Sequence, residues 1–229
     1  MRWNLIRSRI LGLVMLAACL SMTGCATCPI PLSPHASLLQ RQPPSNLDDV
    51  HIIFVDSLAD VGHLGRLEEV CCSMREIGLR NAVYFEPFFD GADRGLVEYI
   101  RGVRAENPNS RIMLVGWSMG SLCVKKALNT LAECCARVET VVYLDSAFLT
   151  LSDFTGHPDN ADRVLLIYRA NQSAPRCIPN SEVQCVDSWF HLPVAHHRDT
   201  VDSLVQEALA LSTEGQPLQP FVGMADQSY

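Results

Sequence analysis

The fold is decided by the run RIMLVGWSMGS, residues 111–121. Its first part, Ile112 to Val115, is a short continuous apolar block, which is typical of a strand buried in a parallel sheet. The turn-forming residues 107–110 precede this block, and a helix is predicted at residues 122–133. Ser118 is therefore predicted to lie on a sharp turn between a strand and a helix.

The glycines on either side of Ser118 leave room where a side chain would collide with a neighbouring strand or helix. A serine on such a turn has its hydroxyl above the sheet, and the N–H of the next residue, Met119, points at a developing oxyanion. The pentapeptide GWSMG in this context resembles the nucleophile elbow of the α/β-hydrolase family. The resemblance implies that Ser118 is a nucleophile and that Met119 supplies one oxyanion N–H.

Strands and helices alternate along the chain. Further strands are predicted at residues 50–55, 82–85, 140–144, 163–168 and, with looser alternation, 183–190. Helices are predicted at residues 64–77 and 94–105 and from Asp199, where residues 199–202 resemble a capping box. This order predicts a single-domain α/β-hydrolase fold with a mostly parallel, doubly wound sheet flanked by helices. Ligands of such sheets bind at the carboxyl ends of the strands, where Ser118, Asp145 and His191 are all expected.

The elbow serine needs a base, because a serine hydroxyl alone is a poor nucleophile. The family order is serine, then acid, then histidine. His191 follows Trp189 and Phe190 after the last predicted strand and precedes the final helix, which is where the family keeps its histidine. His196 and His197 lie in the same loop and stay open as alternatives.

The acid is expected at Asp145. Many α/β hydrolases carry it after the strand predicted at residues 163–168, but Asn171 and Gln172 stand in that loop. Residues 142–147, VYLDSA, resemble lipases that carry the acid one strand earlier. A purely structural role for Asp145 stays open, and Asp187 is a weaker substitute because it falls inside the last predicted strand.

The second oxyanion donor is expected on the turn after the first strand, as the backbone N–H of Ser57 or Leu58. Too few residues separate Asp145 from the next strand for a helical cap, so no sizeable cap domain is predicted. Several aromatic residues at this edge are candidates for lining an acyl pocket or anchoring loops: Phe85, Phe88, Phe89, Trp117, Phe148 and Phe154.

Residues 1–24 have the pattern of a targeting segment. Three arginines in residues 1–9 form a positive region, and residues 10–20 form an apolar stretch too short to span a bilayer. The sequence MTGC at residues 22–25 resembles the lipobox of bacterial lipoproteins, which implies an acylated Cys25 at the mature N-terminus; Cys19 is the alternative. The chain is therefore expected in the bacterial cell envelope, exported and held at a membrane by lipid. An ordinary secretory signal with an incidental cysteine is the other interpretation.

Residues 25–48 are rich in proline and are predicted to form an extended, semi-rigid tether. The hydrolase domain is expected at residues 49–213. Residues 214–229 show no helical period and are expected to form a loose tail.

The envelope permits disulfides, and Cys177 and Cys185 bracket a loop rich in Pro and Asn, so they are the best candidate pair. The adjacent pairs at residues 71–72 and 134–135 lie on predicted helices and are equally consistent with small core residues. Their spacing matches no zinc site, so neither a metal nor a cofactor is expected.

The composition limits the number of domains and the classes of function that the chain can have. The 229 residues are 48% hydrophobic and 19% charged, which suits one globular domain. The net charge of -7 repels phosphate backbones, so nucleic-acid binding is not expected.

Together these features indicate a serine hydrolase that cleaves carboxylic esters or thioesters of small acyl or lipid-like substrates through an acyl-enzyme. Ser118, His191 and Asp145 would form the triad. A non-catalytic lipoprotein of the same fold, which binds a ligand or an envelope partner, is the alternative, favoured by the amides in the usual acid loop. Acyl transfer to an acceptor other than water is a second alternative.

Overall fold

The computed structural model describes residues 29–58, 60, 62–86, 91–151 and 156–213. One compact unit begins at Pro31 and contains the sheet and its helices. No helix within the described ranges is long and apolar enough to cross a membrane.

Six parallel strands form one sheet in the order β2-β1-β3-β4-β5-β6. The strands are β1 (Val50–Val55), β2 (Ala82–Phe85), β3 (Arg111–Trp117), β4 (Val138–Leu144), β5 (Ala161–Arg169) and β6 (Ser181–Val186). The chain order reverses between β1 and β3, and ligands of open α/β sheets bind at such a switch point.

Helices connect the strands from β1 to β5, as parallel crossovers usually require, and residues 170–180 join β5 to β6 without a helix. The helices of the chain are α1 (Ala36–Leu39), α2 (Pro44–Asp48), α3 (Leu67–Glu76), α4 (Ala92–Glu106), α5 (Gly120–Glu133), α6 (Ala147–Leu151) and α7 (Arg198–Ser212), with a 3₁₀ helix at Leu192–His196 before α7. This architecture confirms the predicted single-domain α/β fold with a parallel sheet.

Both faces of the sheet are buried at its central strands, which is why β1, β3 and β4 are largely apolar runs rather than alternating ones, whereas the edge strand β6 is mostly exposed. Leu114 and Leu166 pack into a core shared with α4 and α5. Their chain neighbours Met113 and Leu165 are also buried and point to the opposite face, because successive side chains of a strand alternate.

The last strand ends earlier than predicted. β6 ends at Val186, opposite Arg169, where β5 also ends and leaves no further partner. The Ser188 N–H then donates to the Val186 carbonyl at 2.8 Å and turns the chain. Asp187 is therefore an exposed loop residue, and the expectation that it falls inside a strand is wrong.

The final helix also begins differently. Its N-cap is His197, whose ring accepts the Asp199 N–H at 3.3 Å. The capping box predicted to open at Asp199 is wrong, because extended backbone ends at His197 (φ -61°, ψ 144°) and Asp199 already lies in the first turn.

Residues 31–48 differ from the extended tether that their prolines predicted. They contain α1 and α2, and Leu39 and Leu47 are buried. The Ser33 hydroxyl donates to Asp202 Oδ1 at 2.5 Å, and His35 Nδ1 lies 2.9 Å from the same oxygen. Apolar burial and these contacts with α7 fix a segment that composition alone would leave extended.

Cys177 and Cys185 are both free and exposed, so the predicted disulfide is wrong. Ile178 is the residue of this loop that enters the core, and its neighbour Cys177 is exposed. Of the adjacent cysteine pairs, only Cys71 is buried. No cluster of His, Cys, Asp or Glu within the described ranges is placed to hold a metal ion.

Candidate active site

Ser118 occupies the turn between β3 and α5. Its φ of 52° lies in the left-handed region, which costs a non-glycine residue about 1–3 kcal/mol. The Ser118 N–H donates to the Leu144 carbonyl at 3.0 Å, and Ser146 Oγ donates to the Ser118 carbonyl at 2.9 Å. Residues at the end of β4 and just after it therefore hold the strained turn through both the N–H and the carbonyl of Ser118.

The two flanking glycines are needed because neighbouring backbone packs closely against them, and not because the turn requires their conformational freedom. A Cβ on Gly116 would lie 2.8 Å from Ser121 Cα. A Cβ on Gly120 would lie 2.3 Å from the Val55 carbonyl oxygen and 2.4 Å from that of Asp56. The start of α5 thus packs directly against the end of β1, at the switch point of the sheet.

Asp145 and His191 are in direct contact. Asp145 follows β4 with its side chain fully buried, and His191 Nδ1 lies 2.7 Å from Asp145 Oδ2. Because a carboxylate only accepts hydrogen bonds, Nδ1 carries the proton and Nε2 is left as the acceptor of the ring. This is the tautomer that a serine base requires.

Trp117 places that imidazole beside the elbow. Its ring stacks on the ring of His191 with centroids 5.1 Å apart and planes inclined by 20°. Trp117 is 1% exposed, and its ring lies so close to Gly65 that a Cβ there would meet it at 2.3 Å. Trp117 is therefore a packed platform for His191 rather than the lining of an open pocket.

Ser118 is the chain neighbour of Trp117, so the Ser118 hydroxyl, the His191 imidazole and the Asp145 carboxylate lie at one end of the sheet. Among the hydrogen bonds of the described residues, none joins Ser118 Oγ to the His191 ring. Catalytic hydrogen bonds are often long in unliganded enzymes and tighten only when substrate binds.

The other histidines of this loop have different partners. His196 Nδ1 lies 3.2 Å from the Gly65 carbonyl oxygen, and burial lowers the pKa of His196. His197 caps α7. The structure thus brings His191, and neither alternative, to Asp145.

Arg169 was missed by the sequence reasoning. It is the last residue of β5, its Nε lies 3.2 Å from Asp145 Oδ2, and its N–H donates to Asp145 Oδ1 at 3.5 Å. The signal was available, because an arginine that ends a strand beside β4 must lie close to Asp145 at the same sheet edge. The strand that carries the acid in many relatives of this fold carries a cation here.

The oxyanion turn, which we name for the donor predicted on it, follows β1. The Ser57 N–H donates to Asp56 Oδ1 at 2.6 Å, whereas the Leu58 N–H makes no hydrogen bond that the described residues account for. Of the two predicted donors, Leu58 is thus the one whose N–H has no competing carboxylate. Met119 precedes α5 with helical backbone, at the N-terminus where N–H groups point outward.

Asp56 and Tyr84 brace this turn and were not anticipated. Asp56 is 3% exposed, and the Tyr84 hydroxyl donates to its Oδ2. Burial raises the pKa of Asp56, although the hydrogen bonds from Tyr84 and Ser57 oppose the increase. His63 Nδ1 lies 3.3 Å from the Tyr84 hydroxyl and extends the network to the surface.

The aromatic residues predicted to line an acyl pocket or anchor loops lie in different environments. Trp117 is buried under His191, Phe85 packs against the core, and Phe148 is 39% exposed. Phe88, Phe89 and Phe154 lie outside the described residues, as does Cys25.

The sequence matches no protein-family model and no curated protein. Among solved structures, an α/β serine hydrolase without a lid from Xanthomonas campestris is similar with a TM-score of 0.50 and 15% identity, over 74% of this chain and 85% of that one. The thioesterase domain of NocB from the nocardicin cluster matches with a TM-score of 0.48 and 15% identity, over 73% of this chain and 96% of that one. The first similarity establishes that the chain has the α/β-hydrolase fold.

Proposed function

We propose that the protein is a serine hydrolase that cleaves carboxylic esters or thioesters. The observation that carries this proposal is the contact of 2.7 Å between His191 Nδ1 and Asp145 Oδ2, on an imidazole stacked beside the elbow serine. A buried carboxylate that fixes one imidazole tautomer is the arrangement that activates a serine hydroxyl.

In the proposed reaction, Ser118 Oγ attacks the acyl carbonyl while its proton passes to His191 Nε2. The N–H groups of Met119 and of Leu58 or Ser57 stabilise the oxyanion of the tetrahedral intermediate. The intermediate collapses as His191 gives the proton to the departing alcohol or thiol. Water then attacks the acyl-enzyme with the same base, and release of the carboxylic acid restores Ser118.

The non-catalytic alternative rests on the amides in the loop after β5. Asp145 contacts His191 from the neighbouring strand, so the site does not depend on a carboxylate in that loop. Acyl transfer differs only in the acceptor that attacks the acyl-enzyme.

Covalent labelling with a fluorophosphonate probe tests the proposal. Labelling of the parent should disappear in Ser118→Ala and His191→Ala. The matched control is His197→Asn, which removes the rival imidazole but keeps a residue that caps helices well, and it should label like the parent. Failure of the folded parent to label would overturn the hydrolase proposal and favour the binding protein.

We also propose that the mature protein is held at a membrane of the bacterial envelope by acyl groups on Cys25. The support is the targeting pattern of residues 1–25. Metabolic labelling with a fatty-acid analogue tests it: incorporation should be lost in Cys25→Ser and kept in Cys19→Ser. Incorporation that is lost in Cys19→Ser and kept in Cys25→Ser would place the acyl groups on Cys19. Absence of incorporation in the parent would indicate an ordinary secretory signal.

A further inference from the structure

Large exposed hydrophobic side chains are concentrated beside the site. Of the seven among the described residues, five lie within three positions of Asp145 or His191 or on the oxyanion turn. These five, which we name the rim, are Leu58, Phe148, Trp189, Phe190 and Leu192. Their segments follow β1, β4 and β6, so the rim lies at the carboxyl edge of the parallel sheet.

Trp189 and Phe190 are the most exposed members of the rim, each at 74%. They are held in this position by their loop. Ser188 Oγ donates to the Phe190 carbonyl at 2.9 Å, and Val194, two residues after Leu192, is fully buried. The two aromatic rings are thus presented to solvent by an anchored turn, and apolar patches of this kind mark interaction surfaces.

Acidic side chains are absent from the two segments that carry most of the rim. The net charge is -7, yet residues 146–151 and 188–198, which carry four of the five rim side chains, contain no Asp or Glu. A protein partner is usually held by polar groups around an apolar centre. Here the Ser188 hydroxyl is already used within the loop, and the other polar side-chain groups among residues 188–195 are the imidazole of His191 and the indole N–H of Trp189.

We propose that the rim docks on the surface of a phospholipid bilayer, with Trp189 and Phe190 inserted at the level of the headgroups. Tryptophan prefers this depth, because its large ring is apolar and its N–H is polar. A bilayer contains acyl esters of the class the site would cleave. The choice of a bilayer-held ester as substrate rests on the proposed function; the docking itself does not.

Fluorescence quenching tests the docking in the full chain. The protein has three tryptophans, Trp3, Trp117 and Trp189, and Trp117 is buried. The difference in emission between the parent and Trp189→Phe isolates the Trp189 signal. On phosphatidylcholine vesicles with brominated acyl chains, we expect that signal to fall about threefold or more relative to unbrominated vesicles. An unquenched Trp189 on vesicle-bound protein would overturn the proposal.

Hydrolysis gives the second readout. For the double variant Trp189→Ser with Phe190→Ser, the turnover ratio of a long-chain ester in vesicles to a soluble short-chain ester should fall about tenfold or more. The matched control is Val183→Ser, since Val183 is 52% exposed on β6 but lies outside the rim, and it should keep the parental ratio.

The outcomes separate the two proposals. An equal fall on both esters would overturn docking and make the rim a pocket for single acyl chains. Quenching of Trp189 in a parent that hydrolyses neither ester would support docking and overturn the proposed function.

Discussion

Two buried carboxylates lie at the carboxyl edge of the sheet, and their surroundings differ. Asp145, after β4, contacts the imidazole of His191 and lies 3.2 Å from the Arg169 guanidinium. Asp56, after β1, accepts hydrogen bonds from the Tyr84 hydroxyl and the Ser57 N–H. The same residue type in the same relation to a strand thus faces basic side chains at one position and neutral donors at the other.

The difference shows that the partner of a carboxylate, rather than its place on the sheet, decides what it can do. Asp145 can orient a base and balance the positive charge that forms on it. Asp56 fixes a turn, and burial raises its pKa because its neighbours supply little positive charge.

The largest effect is expected from Asp145→Asn. The amide would favour the wrong tautomer of His191, so ester turnover should fall by about 10⁴-fold while the fold is kept. The matched variant Asp56→Asn should lose no more than about tenfold, since a single weakened hydrogen bond is worth about 0.5–1.5 kcal/mol. Both are measured as kcat with circular dichroism as the folding control. A larger loss in Asp56→Asn would reverse the assignment of the two carboxylates.

Gly120→Ala should destabilise the Asp56 side of the site. The new Cβ would collide with the carbonyl oxygens of Val55 and Asp56. Overpacking of this kind costs about 1–3 kcal/mol, or a decrease in Tm of about 2–12 °C for a domain of this size.

The control for this variant is Gly102→Ala in α4, where a Cβ would meet nothing within 4 Å. Alanine is the better helix former by about 0.5–1 kcal/mol, so Tm should rise. Calorimetry measures Tm for both variants. A Gly120→Ala protein with the Tm of the parent would contradict the prediction and mean that α5 can move away from β1.

Arg169→Gln tests the cation on the Asp145 side. Removing the guanidinium loosens the carboxylate that orients His191, and we expect kcat to fall about tenfold with little change in KM, because interactions with charged groups are worth about 1.5–3 kcal/mol. Arg169→Lys should recover part of the loss, since it keeps the charge without the planar geometry. A rise in KM with constant kcat would instead make Arg169 a substrate-binding residue.

The smallest effect is a pH dependence of stability at Asp56. A raised pKa in the folded state means that the native protein binds the proton more tightly than the unfolded chain does. Asp56 therefore lowers the free energy of unfolding as pH rises from the unfolded pKa of about 4 through the folded one. Asp56→Asn removes this loss, so its Tm relative to the parent should increase as pH rises above about 4. A difference in Tm that is constant with pH would contradict the role of burial.

The sheet and the elbow could be predicted because their signals are local. Residues 112–115 are an apolar block, and the glycines beside Ser118 report a close approach of backbone to backbone. The contacts of side chains distant in the chain were less accessible. Asp145 was predicted from the amides in the usual acid loop and from a resemblance to lipases, and its link to His191 spans 46 residues, which no local pattern encodes.

The errors also have physical causes. β6 is an edge strand, and its end is set by the length of β5 rather than by its own alternation. Residues 31–48 resemble a linker in composition, but burial of Leu39 and Leu47 fixes them on the domain. The role of Asp56 could not be predicted from its own turn, because it depends on Tyr84 of the neighbouring strand β2.

In evolutionary terms, the hydrogen bond from the Arg169 N–H to Asp145 Oδ1 shows that the ends of β4 and β5 meet at the carboxylate that contacts His191. A carboxylate just after β5 would therefore start close to the place that Asp145 occupies. The acid of such a site can be exchanged between neighbouring strands through an intermediate that carries both, while the base and the nucleophile keep their places.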